Sequence, residues 1–475
     1  MECRETRELG VRERKERRAI GVAVAAVLLL RSVALAAEGS SATAFVVPPE
    51  LRPQVNFWRD VFATYSERQV VIHDTERLDR IYGVLDFRSS PDGEGTPLRQ
   101  VMRARVEEEI ERIRAQLYRL HQMGPHPTEL TAEEQRIWKM FERDPDPQKL
   151  LKATAEDRIR DQAGLRERFA RGIEAGHRYF PEMERIFRSE GVPPEVTRLT
   201  LVESCFNVHA YSKVGAAGIW QFMPATGRRF MRIDDVVDER RDPIESTRAA
   251  ARFLRENYER LGSWPLAINA YNHGPAGLAR AVNELGTRDI VSIIQDYRGP
   301  AFKFASRNFY PEFLAALEVE RNHRRYFGPL RLERPVPTDS VRLARPVGIS
   351  TAAACAGVDV GVIAELNPSL SGSIVYGKRP IPSGFPLRMP AEATSRFERE
   401  YAAVAATAVA KGRSSASRRA GVAPAKKPIV HRVRRGQTLD AIARHYGSTV
   451  GRILQHNKIR NARVREGQVL RIPTG

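Results

Sequence analysis

The sequence predicts a mainly helical protein that carries small mixed α+β units near its C-terminus. Apolar residues recur at helical spacing in Leu98–Gln122 and again in the segment that leads to Phe206. After Arg345 the pattern changes to short apolar runs broken by glycine and proline. A chain of 475 residues is long enough for about three domains.

Residues 1–36 have the features of an export signal. Eight basic residues up to Arg31 precede or flank an apolar stretch from Ala19 to Leu30, and residues 34–36 read Ala-Leu-Ala, a small-x-small cleavage site. This stretch is shorter than the about 20 residues of a membrane span, so a retained anchor is the weaker interpretation. No cysteine stands directly after the stretch, which argues against a lipid anchor. We therefore expect an exported protein in the periplasm or cell envelope.

Residues 37–186 are predicted to be a helical, heavily charged region packed around the unit that follows. Its clearest element is Leu98–Gln122, where an apolar stripe follows helical spacing. The stripe consists of Val101, Val106, Ile110, Ile113 and Leu117.

Glu203 stands inside an apolar helical stripe. Prolines at 193–194 can begin a helix, on which Val196, Leu199 and Phe206 share a face with Glu203. Burial disfavours the ionised form of a carboxyl group, so the pKa of Glu203 should exceed its ordinary value of about 4.3, which suits a general acid. The alternative is a buried glutamate held in a structural salt bridge.

Two later clusters have the composition of a sugar-binding cleft. Residues 220–223 read Trp-Gln-Phe-Met and stand before Pro224, and residues 267–277 place Tyr271 and Asn272 at a helix end next to glycine. Aromatic rings beside amide groups suit the apolar faces and the hydroxyl groups of a pyranose. Each cluster alone could equally be core plus turn.

Three segments in order resemble a known family. Glu203 with Ser204, then GAAGIWQFMP from Gly215 to Pro224, then AYNHG from Ala270 to Gly274 are similar to the motifs of the lysozyme-like lytic transglycosylases of the membrane-bound D type. The similarity runs from about Phe187 to Arg321. The resemblance implies a lysozyme-like helical catalytic domain over residues 187–328.

The resemblance also implies an activity. The family cleaves the β-1,4 bond between N-acetylmuramic acid and N-acetylglucosamine in peptidoglycan without water and leaves a 1,6-anhydro end. The match to its single catalytic acid and base is Glu203. The other matching positions would line the cleft, contact the sugar or orient the acid: Ser204, Gln221, Met223, Tyr271 and Asn272.

Two positions depart from the family pattern. His273 stands where alanine is commoner; it could titrate near neutral pH and add a hydrogen bond, or be a rim residue without a chemical role. In a fourth segment, Arg307 to Glu320, the position of a frequent tyrosine is Phe309, and Tyr310 follows it. Which of the two faces the cleft stays open.

No convincing second catalytic carboxylate emerges from the sequence. Asp242 and Glu245 form a capping box for a helix that ends near Gly262, and Glu195 suits the first turn of the helix that carries Glu203. Asp234 is expected in a solvated loop, as is its neighbour Asp235. Hydrolytic glycosidases generally need two carboxylates, so a single one favours a residue that acts first as acid and then as base.

The composition excludes other classes of function. A net charge of +19 could suit nucleic acid, but the export signal and the scattering of basic residues argue against that partner and favour loose attachment to an anionic envelope. Cys3 would leave with the signal, and Cys205 and Cys355 are expected to be unpaired thiols. No cluster has metal-ligand spacing, so we expect neither a metal nor another cofactor.

Residues 429–475 are predicted to form a strand, two helices and a strand. This segment resembles a LysM module, which implies binding of N-acetylglucosamine chains in peptidoglycan. The matching loop positions are Gly436, Gln437, Thr438, Leu439, Lys458 and Ile459. Leu439 could instead belong to a small core, the position favoured for Ile442 and Ile453.

Two further segments precede this module. Residues 345–390 have a helix, helix, Asn-Pro and strand order and are interpreted as a degenerate LysM-like module. Residues 391–428 are small and basic, with little to bury, and are predicted to be a flexible linker. Such a tether would raise the concentration of substrate near the enzyme.

Two alternatives to a transglycosylase remain. A muramidase would hydrolyse the same bond with a positioned water, and a non-catalytic wall-binding protein would have lost activity. The joint presence of Glu203, Gln221 and Tyr271 argues against the second. The sequence does not distinguish endo from exo cleavage.

Overall fold

The computed structural model describes residues 45–89, 98–404, 429–434, 437–457, 459 and 464–472. The predicted export signal, Gly436, Lys458 and most of the predicted linker lie outside the described residues. The chain divides into two compact units, the first comprising residues 1–354 and 358–394 and the second residues 355–357 and 395–475.

The mainly helical fold class is confirmed. Helices of the first part of the chain are α1 (Arg52–Ala63), α2 (Leu98–Gln122), α3 (Ala132–Phe141), α4 (Lys149–Ala153), α5 (Arg166–Gly176), α6 (Phe180–Ser189), α7 (Leu199–Ser204), α8 (Pro224–Gly227), α9 (Pro243–Leu261), α10 (Trp264–His273), α11 (Pro275–Leu285), α12 (Ile290–Asp296), α13 (Phe304–Arg321) and α14 (His323–Phe327). Helix α2 has the predicted bounds, and Ile113 and Leu117 of its stripe are fully buried, whereas Val101 is 47% exposed.

The region up to residue 186 is not wholly helical, which corrects the sequence prediction. It contains a three-stranded antiparallel sheet of β1 (Gln69–Asp74), β2 (Ile81–Asp86) and β3 (Ile159–Ala163), with β1 in the centre. All but the first residue of β1 are buried, so the strand lacks the alternation of apolar and polar residues that marks a half-buried strand. Strand β3 is largely polar and lies at an edge.

One hydrophobic core joins the start of the described chain to the catalytic helices. It draws residues from Phe45 to Leu332, so its packing crosses the predicted boundary at residue 187. Helix α1 packs along α13, where the indole Nε1 of Trp58 donates a hydrogen bond to Oδ1 of Asn308 (3.1 Å). This contact fixes α13 against α1 on its buried side. Helix α13 can therefore form a wall of the candidate active site described below.

The predicted start of α9 is correct at Asp242 and wrong at Glu245. The Asp242 carboxylate accepts hydrogen bonds from the backbone N–H groups of Ile244 (2.9 Å) and Glu245 (3.0 Å), which is the expected N-cap. The Glu245 carboxylate accepts instead from Arg388 (3.0 Å), and Arg388 also pairs with Asp242. A cation from a distant segment therefore replaces the reciprocal bond of a capping box.

Residues 338–390 form the βααβ arrangement expected of a LysM-like module, and its first strand lies before the predicted boundary at 345. The elements are β4 (Thr338–Arg342), α15 (Ile349–Ala356), α16 (Val360–Leu366), α17 (Gly372–Val375) and β5 (Pro386–Pro390), with β4 and β5 antiparallel. Asn367 Nδ2 donates to the carbonyls of Ile363 and Arg388 (both 2.8 Å), and Arg388 N donates back to Asn367 Oδ1 (2.9 Å). The side chain of one asparagine thus joins the second helix to the last strand.

The second unit contains an asparagine with the same set of hydrogen bonds. It contains β6 (Ile429–Arg432), α19 (Leu439–His445), α20 (Val450–Asn457) and β7 (Val469–Ile472), with β6 and β7 antiparallel. Asn457 Nδ2 donates to the carbonyls of Ile453 and Arg471 (both 2.8 Å), and Arg471 N donates back to Asn457 Oδ1 (2.8 Å). The same set of bonds supports the interpretation of residues 338–390 as a second, divergent copy of the module.

The first residues of the predicted linker are helical. A helix, α18, covers residues 394–404, and the rest of the predicted linker lies outside the described residues. Among the described residues no single helix is long and apolar enough to cross a membrane, although one bent pair of adjacent helices meets the length and composition.

Candidate active site

Glu203 lies in the last turn of α7, at the end of a short helical segment. A 3-10 turn over Pro194–Arg198 precedes α7, so the predicted single helix from residue 193 is in fact two pieces. Arg198 anchors the start of α7. Its Nε lies 3.2 Å from a carboxylate oxygen of Glu320 on α13, and both side chains are largely buried. Helix α7 is therefore positioned from its start by a buried ion pair.

The chain turns sharply directly after Glu203. Cys205 and Phe206 have positive φ angles of 47° and 54°, a region that side chains other than glycine rarely occupy. The N–H groups of both residues donate to carbonyls of α7, Cys205 to Leu201 (3.0 Å) and Phe206 to Thr200 (3.1 Å), which closes the helix end. Backbone in this region is strained and persists only where the surrounding structure holds it. Such residues cluster at functional sites.

The carboxyl group of Glu203 is partly buried and yet reachable. Glu203 lines a cavity of about 550 Å³ at the end of α7, and its side chain keeps some exposure to solvent. Burial raises its pKa to about 8, and the charge of Glu312 adds to the rise. At neutral pH this group holds a proton that it can donate, as the sequence predicted for residue 203.

Glu312, on α13, is a second carboxylate that sequence reasoning missed. Burial raises its pKa to about 8 as well, against the attraction of Arg160 on β3. The signal was present in the sequence, because Glu312 stands between the buried residues Pro311 and Phe313, an acid within an apolar helix like Glu203. A second buried carboxyl group therefore acts on Glu203, at a position that the sequence analysis did not consider.

The loop of the second motif is joined to α7 through Ser204. The Ser204 hydroxyl lies within hydrogen-bond distance of the carbonyl oxygens of Thr200 (3.2 Å) and Ile219 (3.1 Å). Gln221 has a φ of 47°, and its Nε2 donates to the carbonyl of Gly218 (2.8 Å). Ser204 thus acts as a positioning residue, and the Gln221 amide closes its own loop.

Arg240 organises this loop and was not predicted. Its guanidinium donates to the carbonyls of Gly215 (2.7 Å) and Phe222 (3.0 Å) and pairs with Asp238 (2.7 Å), with only 4% of the side chain exposed. Gly218, with a φ of 75°, lies so close that an added Cβ would be 1.8 Å from the Arg240 carbonyl oxygen. The two ends and the middle of the loop therefore meet at one arginine.

Tyr271 brings the third motif to the same place. Its hydroxyl donates to the carbonyl of Trp220 (2.8 Å), and its ring meets that of Phe222 edge-on at 5.8 Å. Burial, and then the charge of Glu203, raise the pKa of Tyr271 well above its ordinary value. The phenol therefore stays protonated in the electrostatic neighbourhood of the Glu203 carboxyl group.

Two predicted cleft residues, Met223 and Asn272, are exposed at the surface. His273 is not a rim residue. It is partly buried, its Nδ1 lies 2.9 Å from the Ser306 hydroxyl, and its ring meets Phe302 edge-on at 5.0 Å. Burial lowers the pKa of His273, so the neutral ring packs α10 against the start of α13.

Neither residue of the fourth segment has an exposed ring. Phe309 is 4% and Tyr310 2% exposed, and Tyr310 stacks on Phe313 with ring centroids 6.2 Å apart. The two expected thiols are free, and burial raises the pKa of Cys205 to about 11, so Cys205 is no nucleophile at neutral pH.

In the second unit, the predicted glycan-binding positions that the structure describes make contacts within the unit. Gln437 Oε1 lies 2.9 Å from the backbone N–H of Arg434, which donates to it, and Thr438 caps α19 through a hydrogen bond from Ala441 N (3.2 Å). Leu439 is 1% exposed in the small core, so its side chain cannot touch a glycan. Ile442 and Ile453 are buried in that core as predicted, and Ile459 packs against it.

Two family models match the chain. Residues 182–294 match the transglycosylase SLT domain, and residues 431–473 match the LysM domain. The first match contains all three motifs and ends before α13, which supplies Glu312.

Membrane-bound lytic murein transglycosylase D of Escherichia coli (strain K12) is 31% identical over 296 residues, which cover 61% of this chain and 62% of that protein. A putative tributyltin chloride resistance protein of Alteromonas sp. (strain M-1) is 40% identical over 96 residues, or 20% of this chain and 46% of that protein. The chain thus spans less than two thirds of either relative.

Two solved lytic transglycosylases show distant similarity. The 70 kDa soluble enzyme of Escherichia coli matches with a TM-score of 0.25 and 20% identity over 32% of this chain and 26% of that chain. Slt of Pseudomonas aeruginosa, as an inactive mutant, matches with a TM-score of 0.26 and 17% identity over 46% of this chain and 33% of that chain. From the family matches, residues 182–294 are a transglycosylase SLT domain and residues 431–473 are a LysM domain.

Proposed function

We propose that this protein is a peptidoglycan lytic transglycosylase. It would cleave the β-1,4 bond between N-acetylmuramic acid and N-acetylglucosamine and leave 1,6-anhydromuramoyl ends, as part of cell-wall remodelling. The observation that carries the proposal is Glu203: within an SLT domain, a partly buried carboxyl group with a pKa of about 8 lies in electrostatic reach of Tyr271. The proposal covers the whole chain, although the match spans less than two thirds of each curated relative.

The chemistry needs one group that first gives and then takes a proton. Protonated Glu203 donates its proton to the glycosidic oxygen as that bond breaks, and the N-acetyl group of the substrate can stabilise the sugar cation. The Glu203 carboxylate then accepts the proton of the C6 hydroxyl, whose oxygen closes the anhydro ring. A raised pKa favours the first step, and the ionised form that remains performs the second.

Residues around Glu203 would position the sugar. Tyr271 would hold the loop of the second motif through the carbonyl of Trp220, Ser204 would fix the helix end to that loop, and Gln221 would stay near the cleft through its own loop. The exposed Met223 and Asn272 would contact parts of the glycan strand that lie farther from the cleaved bond.

Glu312 gives the hydrolytic alternative its one structural argument, because muramidases generally use two carboxylates. A second carboxylate would have to be ionised to activate a water molecule. The raised pKa of Glu312 instead favours its protonated form at neutral pH. When the pair begins to ionise at higher pH, the charge of Glu312 opposes the ionisation of Glu203, so Glu312 is better understood as a group that helps Glu203 to keep its proton.

The other domains would bring the enzyme to its substrate. The LysM domain would bind N-acetylglucosamine in the wall through the loops at 436–439 and 458–459, and backbone groups would provide the contacts where Leu439 is buried. Residues 1–36 would direct export to the periplasm, and the positive charge of the chain would favour attachment to the anionic envelope. The relative of the same type is named as membrane-bound.

Mass analysis of digested peptidoglycan tests the proposal. A transglycosylase releases muropeptides that end in 1,6-anhydro sugars, each lighter by one water than the corresponding reducing product. We expect anhydro ends from the purified full-length protein. Exclusively reducing ends would assign the muramidase reaction, and no cleavage would favour the non-catalytic alternative.

Glu312→Gln tests the role of the second carboxylate. Removing a like charge should lower the pKa of Glu203, since ionised Glu312 opposes the ionisation of its neighbour. The alkaline limb of the pH profile of kcat/KM should therefore move to lower pH. Glu284→Gln, at an exposed position, is the matched control and should leave the profile unchanged. A shift to higher pH in Glu312→Gln would contradict this role.

A further inference from the structure

A cleft lies between the three-stranded sheet and the start of α13. It consists of two cavities of about 400 and 630 Å³ that share part of their lining. Arg298 and Arg307 belong to both cavities, as does Glu76. One wall is formed by the turn after β1 (residues 75–79) and by the segment that runs into β3 (residues 156–160), and the other by the segment that leads into α13.

Arg307 is partly buried in this cleft without an acceptor. Its Nε is buried and has no hydrogen-bond partner, and no carboxylate of the described residues pairs with Arg307 or Arg298. Burial lowers the pKa of Arg307, and repulsion from Arg298 lowers it further, against a weaker attraction to Glu76. Glu76 is itself paired with Arg158 at 3.2 Å. The two guanidinium groups therefore repel each other while neither is paired with a carboxylate of the described residues, and an added anion would relieve this repulsion.

The helix N-terminus at the same place adds to this potential. Lys303 is the N-cap of α13 and makes no side-chain cap bond, and both Lys303 and Phe304 line the cleft. The first N–H groups of an 18-residue helix are thus left without a capping side chain. Backbone donors of this kind favour an anion, as do the two arginines.

The cleft also has acidic residues, but they lie in a different environment. Glu156 and Asp157 are exposed to solvent, where water and salt screen their charges. Asp79 is paired with Arg77 at 3.1 Å. The charge in the cleft that is both unpaired and partly shielded from water is therefore the positive charge of Arg307.

The cleft adjoins the catalytic machinery. Phe302 lines it and contacts the ring of His273, two residues after Tyr271. Arg160 also lines it and acts electrostatically on Glu312, which acts on Glu203. The cleft is therefore linked to the third motif through His273 and to Glu203 through Arg160 and Glu312.

We propose that this cleft binds carboxylates of the peptide stems carried by peptidoglycan, and so makes the enzyme selective for glycan strands that still bear stems. The inference rests on the proposed function and adds a specificity site to it. Each stem hangs from N-acetylmuramic acid, beside the bond that Glu203 would cleave, and ends in a free carboxylate. A guanidinium group binds a carboxylate through two parallel hydrogen bonds, and a partly buried site strengthens them.

The test compares two substrates with one double variant, Arg298→Gln with Arg307→Gln. The substrates are intact glycan strands with stems and the same strands stripped of stems by an amidase. For strands with stems, kcat/KM should fall about ten- to hundredfold, the effect of losing one or two hydrogen bonds to a charged group. For stripped strands it should not change. Arg298 is exposed, so the single variant Arg298→Gln should fold normally and show part of the effect.

Arg260→Gln with Arg324→Gln is the matched control, because it removes the same charge from exposed positions elsewhere. Equal losses on both substrates, or an unchanged preference in the cleft variant, would overturn the proposal. Binding of both strands to protein that also carries Glu203→Gln provides a readout without turnover, in which stems should strengthen binding only when the two arginines are present. Wild-type protein that binds strands with stems more tightly but cleaves neither would contradict the proposed function and leave the stem site supported.

Discussion

Glu203→Gln is expected to lower kcat for glycan cleavage by about 10²–10⁴-fold, the contribution of a positioned general acid and base. Glutamine has the same shape, so the loop and Tyr271 should stay in place. It has no proton of suitable acidity to give and cannot then accept one from the C6 hydroxyl. Release of anhydro products from purified sacculi, followed by mass analysis, measures the loss.

The same variant has a second signature, in stability. In wild-type protein the pKa of Glu203 rises from 4.5 in the unfolded chain to about 8 in the folded protein. The unfolded state therefore releases a proton that the folded state retains, and this group makes the free energy of unfolding fall as pH rises between these values. Glu203→Gln should escape that loss, so its stability relative to wild type should increase from pH 5 to pH 8 in thermal denaturation.

Glu190→Gln is the matched control for both measurements. Glu190 is exposed at the end of α6, and its replacement should change neither the rate nor the pH dependence of stability. Unchanged wall digestion by Glu203→Gln would refute the catalytic assignment, and an unchanged stability profile would refute the burial on which it depends.

The pattern around Glu203 was sufficient to predict a carboxyl group with a raised pKa, because its apolar neighbours and its place before a polar turn are both local features. The position of Tyr271 was predicted from an aromatic residue that stands beside an amide residue at a helix end. The strand, helix, helix, strand order of the second unit was likewise local, and the buried Ile442 and Ile453 agree with it. Local periodicity therefore predicted elements whose two faces differ in polarity.

Features that depend on distant partners were not predictable in this way. Strand β1 is buried on both faces, so it lacks the alternation that marks a strand. Glu312 belongs to a helix far along the chain and becomes important only when α13 packs beside α7. Arg240, in the charged run DERRD, has the composition of a solvated loop, and only the fold buries it.

Arg240→Met should lower the free energy of unfolding by about 3–5 kcal/mol, a large loss for a single substitution. The change leaves Asp238 without its cation, and the carbonyls of Gly215 and Phe222 lose their donor. Because the carbonyl that holds the Tyr271 hydroxyl belongs to this loop, activity should fall even in the fraction that remains folded. Chemical denaturation and the rate per folded molecule measure the two effects separately.

Arg240→Lys separates charge from geometry. A lysine keeps the cation for Asp238, but it cannot also reach both carbonyls in the planar arrangement of a guanidinium group. Its stability should therefore fall between those of wild type and Arg240→Met. Arg228→Met, which removes an exposed arginine from the same part of the chain, should cost little. Equal stability of Arg240→Met and Arg228→Met would mean that the loop is held by its backbone bonds alone, and that the strained angle at Gln221 does not depend on the arginine.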